Sequence, residues 1–138
     1  MGTMTSAPPI TLNDGQSIPQ LGLGVWQMTD DEATAAVSHA LETGYRHVDT
    51  AAIYRNEVGV GRAIAASSLP KLWNKDQGRD LARPGLEQSL EKLGLDHVDL
   101  YLIHWPCPAR GTYVETWEQL IDFRSEGLVR SIGVCNFL

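Results

Sequence analysis

Two short stretches bring reactive side chains to the ends of what read as buried strands. The first is Leu95-Asp-His-Val-Asp-Leu-Tyr-Leu-Ile-His-Trp-Pro106, in which Val98, Leu100, Leu102 and Trp105 supply apolar bulk and Tyr101 and Ile103 keep the reverse face apolar. A run apolar on both faces suits a strand buried on both sides, as in a parallel sheet covered by helices. His104 stands at its C-terminal end, and Pro106, with no N–H to give a ladder, stops it. The second is Tyr45-Arg-His-Val-Asp-Thr-Ala51, which delivers Asp49 and Thr50 to the same end of another strand. In barrels of alternating strands and helices that end faces the active site. An imidazole and a carboxylate there are candidates for proton-transfer and hydrogen-bonding chemistry. Each has a plainer reading beside it: a hydrogen-bonded histidine in a core strand, and an aspartate capping a helix.

The elements that must position these residues follow from the chain on either side. Residues 1–9 read as a flexible tail and 10–138 as one domain. Apolar residues flank Asn13-Asp14-Gly15, a hairpin signal. Leu21-Gly-Leu-Gly-Val-Trp26 reads as a buried strand whose glycines leave room for a ligand or another backbone. Thr29 with Glu32 opens a helix whose apolar stripe is Ala33, Val37, Ala40 and Leu41, ended by Gly44. Asn56-Glu57 opens a second helix, with Val60, Ala63, Ile64 and Ala66 inward and Pro70 closing it. Lys71-Leu-Trp-Asn74 and a loop over 75–80 then lead to a third helix carrying Leu86, Leu90 and Leu93, so two helices run in succession without a strand-length apolar run between them. A right-handed β–α–β chain wants a strand there. A fourth helix starts at Thr112-Tyr-Val-Glu115, with Val114, Trp117, Leu120, Ile121 and the Arg124 stem on its inner face, and Val129–Phe137 is a final strand. The pattern is a parallel α/β architecture preceded by a hairpin, either an open doubly wound sheet or part of a (β/α)8 barrel; a whole barrel needs about 250 residues.

Composition narrows the classes. A net charge of -6 over 138 residues, with no basic run, argues against nucleic acid or an anionic membrane as partner. No apolar segment approaches the ~20 residues of a membrane span, and the N-terminus lacks the basic start and apolar core of a signal peptide. Cys107 and Cys135 belong to no metal-spacing motif, so no metal is expected and a reducing cytoplasm is the expected location. The spacing of the two thiols leaves their disulfide state open.

Four pieces together resemble the aldo-keto reductase family: Leu21-Gly-Leu-Gly24, Asp49-Thr-Ala-Ala-Ile-Tyr54-Arg-Asn-Glu57, Leu100-Tyr-Leu-Ile-His104-Trp-Pro106 and Ser131-Ile-Gly-Val-Cys-Asn-Phe137, with Lys71 in Lys-Leu-Trp fitting a fifth. The likeness runs from about Ile10 to Phe137 and is strongest to bacterial members that reduce small carbonyl compounds such as diketogluconates and methylglyoxal. It implies a (β/α)8 barrel that binds NADPH without a Rossmann domain; in keeping with that, Gln27 denies the chain a G-x-G-x-x-G. It also implies a catalytic tetrad of Asp49, Tyr54, Lys71 and His104. Tyr54 would donate a proton to the oxygen of an aldehyde or ketone accepting hydride, Lys71 would lower the phenol's pKa, Asp49 would hold Lys71, and His104 would orient the carbonyl by a hydrogen bond. Gly22, Asp49, Cys135 and Asn136 would contact the cofactor, Asn136 holding the nicotinamide amide. Trp26, Tyr54, His104 and Trp105, with Trp73, would wall the substrate pocket, core packing being the alternative for the tryptophans. Cys135 stands where the family usually has Ser, and Arg55 where many relatives have Gly, a change expected at the turn after Tyr54. Taken singly, Tyr54 also reads as a packing residue and Lys71 as a solvated loop lysine; taken jointly, in family order, the chemical reading is the stronger.

Two departures shape the expectations. Relatives carry a strand between the second helix and the lysine, and this chain lacks roughly eight residues there, about one strand's length. Lys71 is then expected at the wrong end of the sheet unless Ala63–Pro70 gives up helix to become the returning strand, for which its composition is poor. The family's remaining strands are also absent, and with them a stacking Tyr, a nicotinamide-binding Gln and the basic residues on the 2′-phosphate. The expectation is therefore an incomplete barrel, about its N-terminal half, with little or no activity alone and with exposed half-barrel edges open to self-association. Two functions compete: an NADPH-dependent carbonyl reductase, and an inactive half-barrel acting only as an assembly partner.

Overall fold

The structure, a computed structural model, describes residues 7–67, 73–78, 82–106, 109 and 111–137. A two-stranded antiparallel hairpin, β1 (Ile10–Thr11) and β2 (Ser17–Ile18), precedes a five-stranded parallel sheet. The sheet comprises β3 (Leu23–Gly24), β4 (His47–Asp49), β5 (Trp73–Gly78), β6 (Val98–Ile103) and β7 (Val129–Val134), side by side in chain order. Four helices connect or follow them: α1 (Asp30–Glu42), α2 (Glu57–Ala66), α3 (Ala82–Leu93) and α4 (Tyr113–Glu126). A doubly wound sheet reverses its strand order at a switch point. The unbroken order here is that of a barrel segment, which decides between the two closures left open by the sequence.

Local chemistry explains the helices. Thr29 Oγ1 accepts the Glu32 N–H at 3.2 Å while Glu32 Oε2 accepts the Thr29 N–H at 2.8 Å, a reciprocal cap at the start of α1. The α1 stripe of Ala33, Val37, Ala40 and Leu41 is buried as its spacing requires, and so are Leu86, Leu90 and Leu93 of α3. Helices α1 and α2 touch backbone to backbone at Gly59, where a Cβ would collide with the Asp30 carbonyl. Asp30 Oδ1 accepts the Gly59 N–H at 2.7 Å, and Thr34 Oγ1 donates to the Gly59 carbonyl at 2.8 Å. At the other side of the layer, the Arg83 guanidinium forks onto the Glu126 carboxylate and lies 5.0 Å over the Phe123 ring, tying α3 to α4.

Several expectations need correction. There is a strand between α2 and α3, and it lies beyond Ala63–Pro70, the segment considered for that place. Helix α2 keeps its course to Ala66, and Trp-Asn-Lys-Asp-Gln-Gly, whose last four residues were expected to begin a loop, pairs with β4 on one side and β6 on the other. The physical reason lies in its neighbours: two parallel strands separated by an empty slot would leave two rows of unpaired N–H and C=O groups, and any backbone that reaches the slot satisfies both. The stretch 21–26 is strand only at Leu23–Gly24, with Val25 buried but Leu21 and Trp26 exposed. On α4 the inner face is Thr116, Leu120 and Phe123, with Trp117 packed beside them; Val114 and Ile121 point outward and the Arg124 side chain is exposed. Ala66 is likewise exposed, while Glu57, Gly59 and Gly61 are buried on α2. In both helices the neighbouring helix, and not apolar spacing alone, selects the buried face.

Candidate active site

Every described candidate that carries a reactive side chain lies at or just beyond the C-terminal end of a strand. Asp49 is the last residue of β4, His104 follows β6, and Cys135 and Asn136 follow β7. Tyr54 is the last residue of a single 3-10 turn, Ala52–Tyr54, that leaves the β4 end. That turn closes on Arg55 in the left-handed region, φ 58°, so the expected change at this turn is a non-glycine residue in a conformation that glycine adopts more easily. Behind it, Asn56 is fully buried; its Nδ2 donates to the carbonyls of Val25 at 2.7 Å and Met28 at 3.0 Å. The β3 and β4 ends are thereby stitched under the Tyr54 turn. Sequence reading took Asn56 only as the opening of α2; the polar contacts come from residues some thirty positions away and have no local signature.

The Tyr54 and His104 rings stand edge to face, with centroids 6.1 Å apart and planes at 81°. His104 stacks on Trp105 at 6.3 Å. The Asn136 Nδ2 donates to the His104 carbonyl at 2.7 Å, and the Cys135 N–H donates to the Ile103 carbonyl at 2.8 Å, so the β7 end braces the β6 end. Asn136 is exposed, at φ 59°, and its Oδ1 remains able to accept. Cys135 is a free thiol; Cys107 lies outside the described residues. Burial, with the neighbouring Asp49 and Cys135 as lesser causes, holds the Tyr54 phenol above its ordinary pKa. Tyr54 is consequently a proton carrier at neutral pH, and a proton leaving it would place a second negative charge near Asp49.

Trp26 and Trp105 are 67% and 57% exposed, which removes core packing as their explanation. Trp73 stands in β5 at the register of His47, two positions before that of Asp49. Gly22 has a packing reason for its identity: a Cβ there would come within 2.7 Å of the His47 imidazole. Lys71 lies outside the described residues. The structure therefore brings Asp49, Tyr54, His104, Cys135 and Asn136 to one rim. Two clefts, of about 500 Å³ beside His97, Arg124 and Arg130 and about 390 Å³ between α1 and α2, contain none of these residues. Among the described residues no group of three or more metal-ligating side chains occurs, and no helix is long and apolar enough to cross a membrane.

The profile of the Aldo/keto reductase family matches residues 19–138. The methylglyoxal reductase DkgA of Yersinia pestis is 54% identical over 142 residues, a match that takes in 97% of this chain and 50% of that protein. Its 142 aligned residues exceed the 138 of this chain, so that relative holds residues for which this chain has no counterpart. The crystal structure of an aldo/keto reductase from Brucella melitensis superposes with a TM-score of 0.89 at 50% identity, over 95% of this chain and 54% of that one. A Bombyx mori aldo-keto reductase solved in complex with NADP superposes with a TM-score of 0.83 at 41% identity, over 94% of this chain and 50% of that one. The chain spans about half the length of the curated relatives it matches.

Proposed function

The chain belongs to the aldo-keto reductase family, and from that premise we propose that it carries the acid–base half of an NADPH-dependent reductase of small aldehydes and ketones, the chemistry named for its methylglyoxal-reducing relatives. The observation that supports this best is the Tyr54–His104 pair at the β4 and β6 ends, with Asp49 beside it. A carbonyl oxygen seated between the two rings takes a hydrogen bond from the His104 imidazole, which orients it and stabilises the charge that develops. The Tyr54 hydroxyl then gives its proton to that oxygen. Trp105, exposed and stacked on His104, would offer the substrate an apolar wall, and exposed Trp26 a second. Asn136 fits a carboxamide: its Nδ2 is committed to His104, leaving Oδ1 to accept an amide N–H. Bound there, NADPH supplies the hydride. Asp49 and Cys135 on the same rim complete this half of the cofactor site; Gly22, which precedes β3 and packs against His47 at the other end of the strands, takes no part in it.

The reading is confined to the residues that this chain shares with about half the length of its relatives. NADPH oxidation followed at 340 nm with methylglyoxal tests the reading. Turnover that Tyr54→Phe abolishes, with NADPH binding detected by fluorescence, is the expected result. Turnover indifferent to Tyr54→Phe, or none at all, overturns it; in the latter case the chain is an assembly partner, associating through its half-barrel edges, and size-exclusion chromatography shows the larger species.

A further inference from the structure

We infer that Asn56 is a positioning residue for the substrate wall of this rim, acting through the turn that carries Trp26. The inference rests on the carbonyl-reductase reading and adds to it what holds that wall in place. Trp26 is 67% exposed, so its place at the rim is set by its backbone and not by packing around the indole. That backbone is a two-residue turn: the Met28 N–H donates to the Val25 carbonyl at 3.2 Å, with Trp26 and Gln27 between them. Gln27 stands at φ 65°, in the left-handed region, at the turn position that glycine or asparagine usually fills. The turn is therefore held in a conformation that its own residues do not favour.

Asn56 supplies the hold. Its Nδ2 donates to the Val25 carbonyl at 2.7 Å and to the Met28 carbonyl at 3.0 Å, the two ends of the turn. Its Oδ1 accepts the Thr50 hydroxyl at 3.4 Å, and Asn56 and Thr50 are both fully buried. The Val25 N–H donates to the Asp49 carbonyl at 3.3 Å. The turn is thus tied to the β4 end directly at Asp49 and, through one carboxamide, at Thr50. A carboxamide is what this place needs, because it offers two N–H donors to two carbonyls and an acceptor to a hydroxyl on one planar group. An aspartate would set oxygen against oxygen. An alanine would leave the Met28 carbonyl and the Thr50 hydroxyl without this partner, and Gln27 would be free to leave the left-handed region and carry Trp26 with it. The Trp26 wall and the Tyr54 turn are in this way fixed in one frame, with Asn56 two residues beyond Tyr54.

Fluorine NMR of protein labelled with 5-fluorotryptophan reads the turn without NADPH or turnover. Trp26→Phe assigns one resonance, and Trp117→Phe assigns that of Trp117, which packs against the core and reports whether a variant is folded. Asn56→Ala is expected to move the Trp26 resonance at least halfway to that of free 5-fluorotryptophan while the Trp117 resonance stays. Adding Gln27→Asn, which eases the left-handed position, should undo half or more of that displacement. Where Asn56→Ala does not fold, Thr50→Val decides: it removes only the hydroxyl on the Asn56 carboxamide and should move the Trp26 resonance in the same direction by a smaller amount. A Trp26 resonance indifferent to Asn56→Ala in the folded chain, or to Thr50→Val where the alanine variant is unfolded, overturns the inference. With methylglyoxal turnover in hand, Asn56→Ala should raise KM by about three- to tenfold and change kcat less than that; a KM that stays while Trp26 moves also overturns it. No turnover in the wild-type chain, with the fluorine shifts as expected, would remove the reductase reading and leave Asn56 as the clamp of the Trp26 turn.

Discussion

β5 and β6 lie side by side in the sheet and do the same architectural work with opposite side chains. β6 is Val-Asp-Leu-Tyr-Leu-Ile, buried at all six positions, and it declares itself from composition alone. β5 is Trp-Asn-Lys-Asp-Gln-Gly, in which only the first residue favours a strand. β6 forms because its side chains leave water. β5 forms because its backbone completes two ladders at once, to His47–Asp49 on one side and Leu100–Ile103 on the other. Strand-forming free energy can thus reside in the side chains of the strand or in the vacancy its neighbours leave.

Substitutions can separate the two sources. Val98→Asp places an unpaired carboxylate where Val98 is fully buried and should cost about 3–5 kcal/mol, enough to unfold most of the protein; urea denaturation and near-UV circular dichroism would show it. Within β5 the sensitivity should lie in the backbone. Asp76→Pro, opposite Tyr101, removes a ladder donor and should cost about 3 kcal/mol, whereas Asp76→Thr should be neutral or stabilising by up to about 1 kcal/mol. If the threonine variant loses as much as the proline one, β5 is held by its side chains after all.

Ser131 of β7 donates from its Oγ to Asp14 Oδ2 of the hairpin turn at 2.6 Å. Ser131→Ala should cost about 1.5 kcal/mol at neutral pH. The bond to Ser131, and then that from the Gln16 N–H, holds the Asp14 carboxyl below its ordinary 3.8. A carboxylate with a depressed folded-state pKa stabilises above the unfolded value and loses that contribution as pH falls through the folded one. The gap between wild type and Ser131→Ala should therefore be full above about pH 4 and close below it; a gap that persists at pH 2 would assign the loss to packing. The smallest effect belongs to the rim. Arg55→Gly relieves a left-handed residue but frees the unfolded chain, leaving a gain of a few tenths of a kcal/mol, readable as a small rise in Tm.

Much of this was legible beforehand. The α1 cap and stripe, the α3 leucines, the hairpin, β6 and the rim positions of Asp49 and His104 all follow from patterns contained within a few residues; Asn136, expected inside the last strand, stands beyond it because β7 ends at Val134. The departures share one trait. β5, the inner face of α4, the exposure of Trp26 and the burial of Asn56 are each decided by a partner distant in sequence. No window around Asn56 contains the Val25 and Met28 carbonyls, and no window around β5 contains the β4 and β6 ladders.

By itself, the sequence determined the kind of fold, a parallel α/β sheet behind a hairpin, because periodicity, caps and turn signals act through neighbouring residues. The tertiary structure alone decided which six residues fill the slot between β4 and β6. Register is a property of two strands together: the unpaired backbone groups of β4 and β6 select the segment that meets them, whatever its own preference.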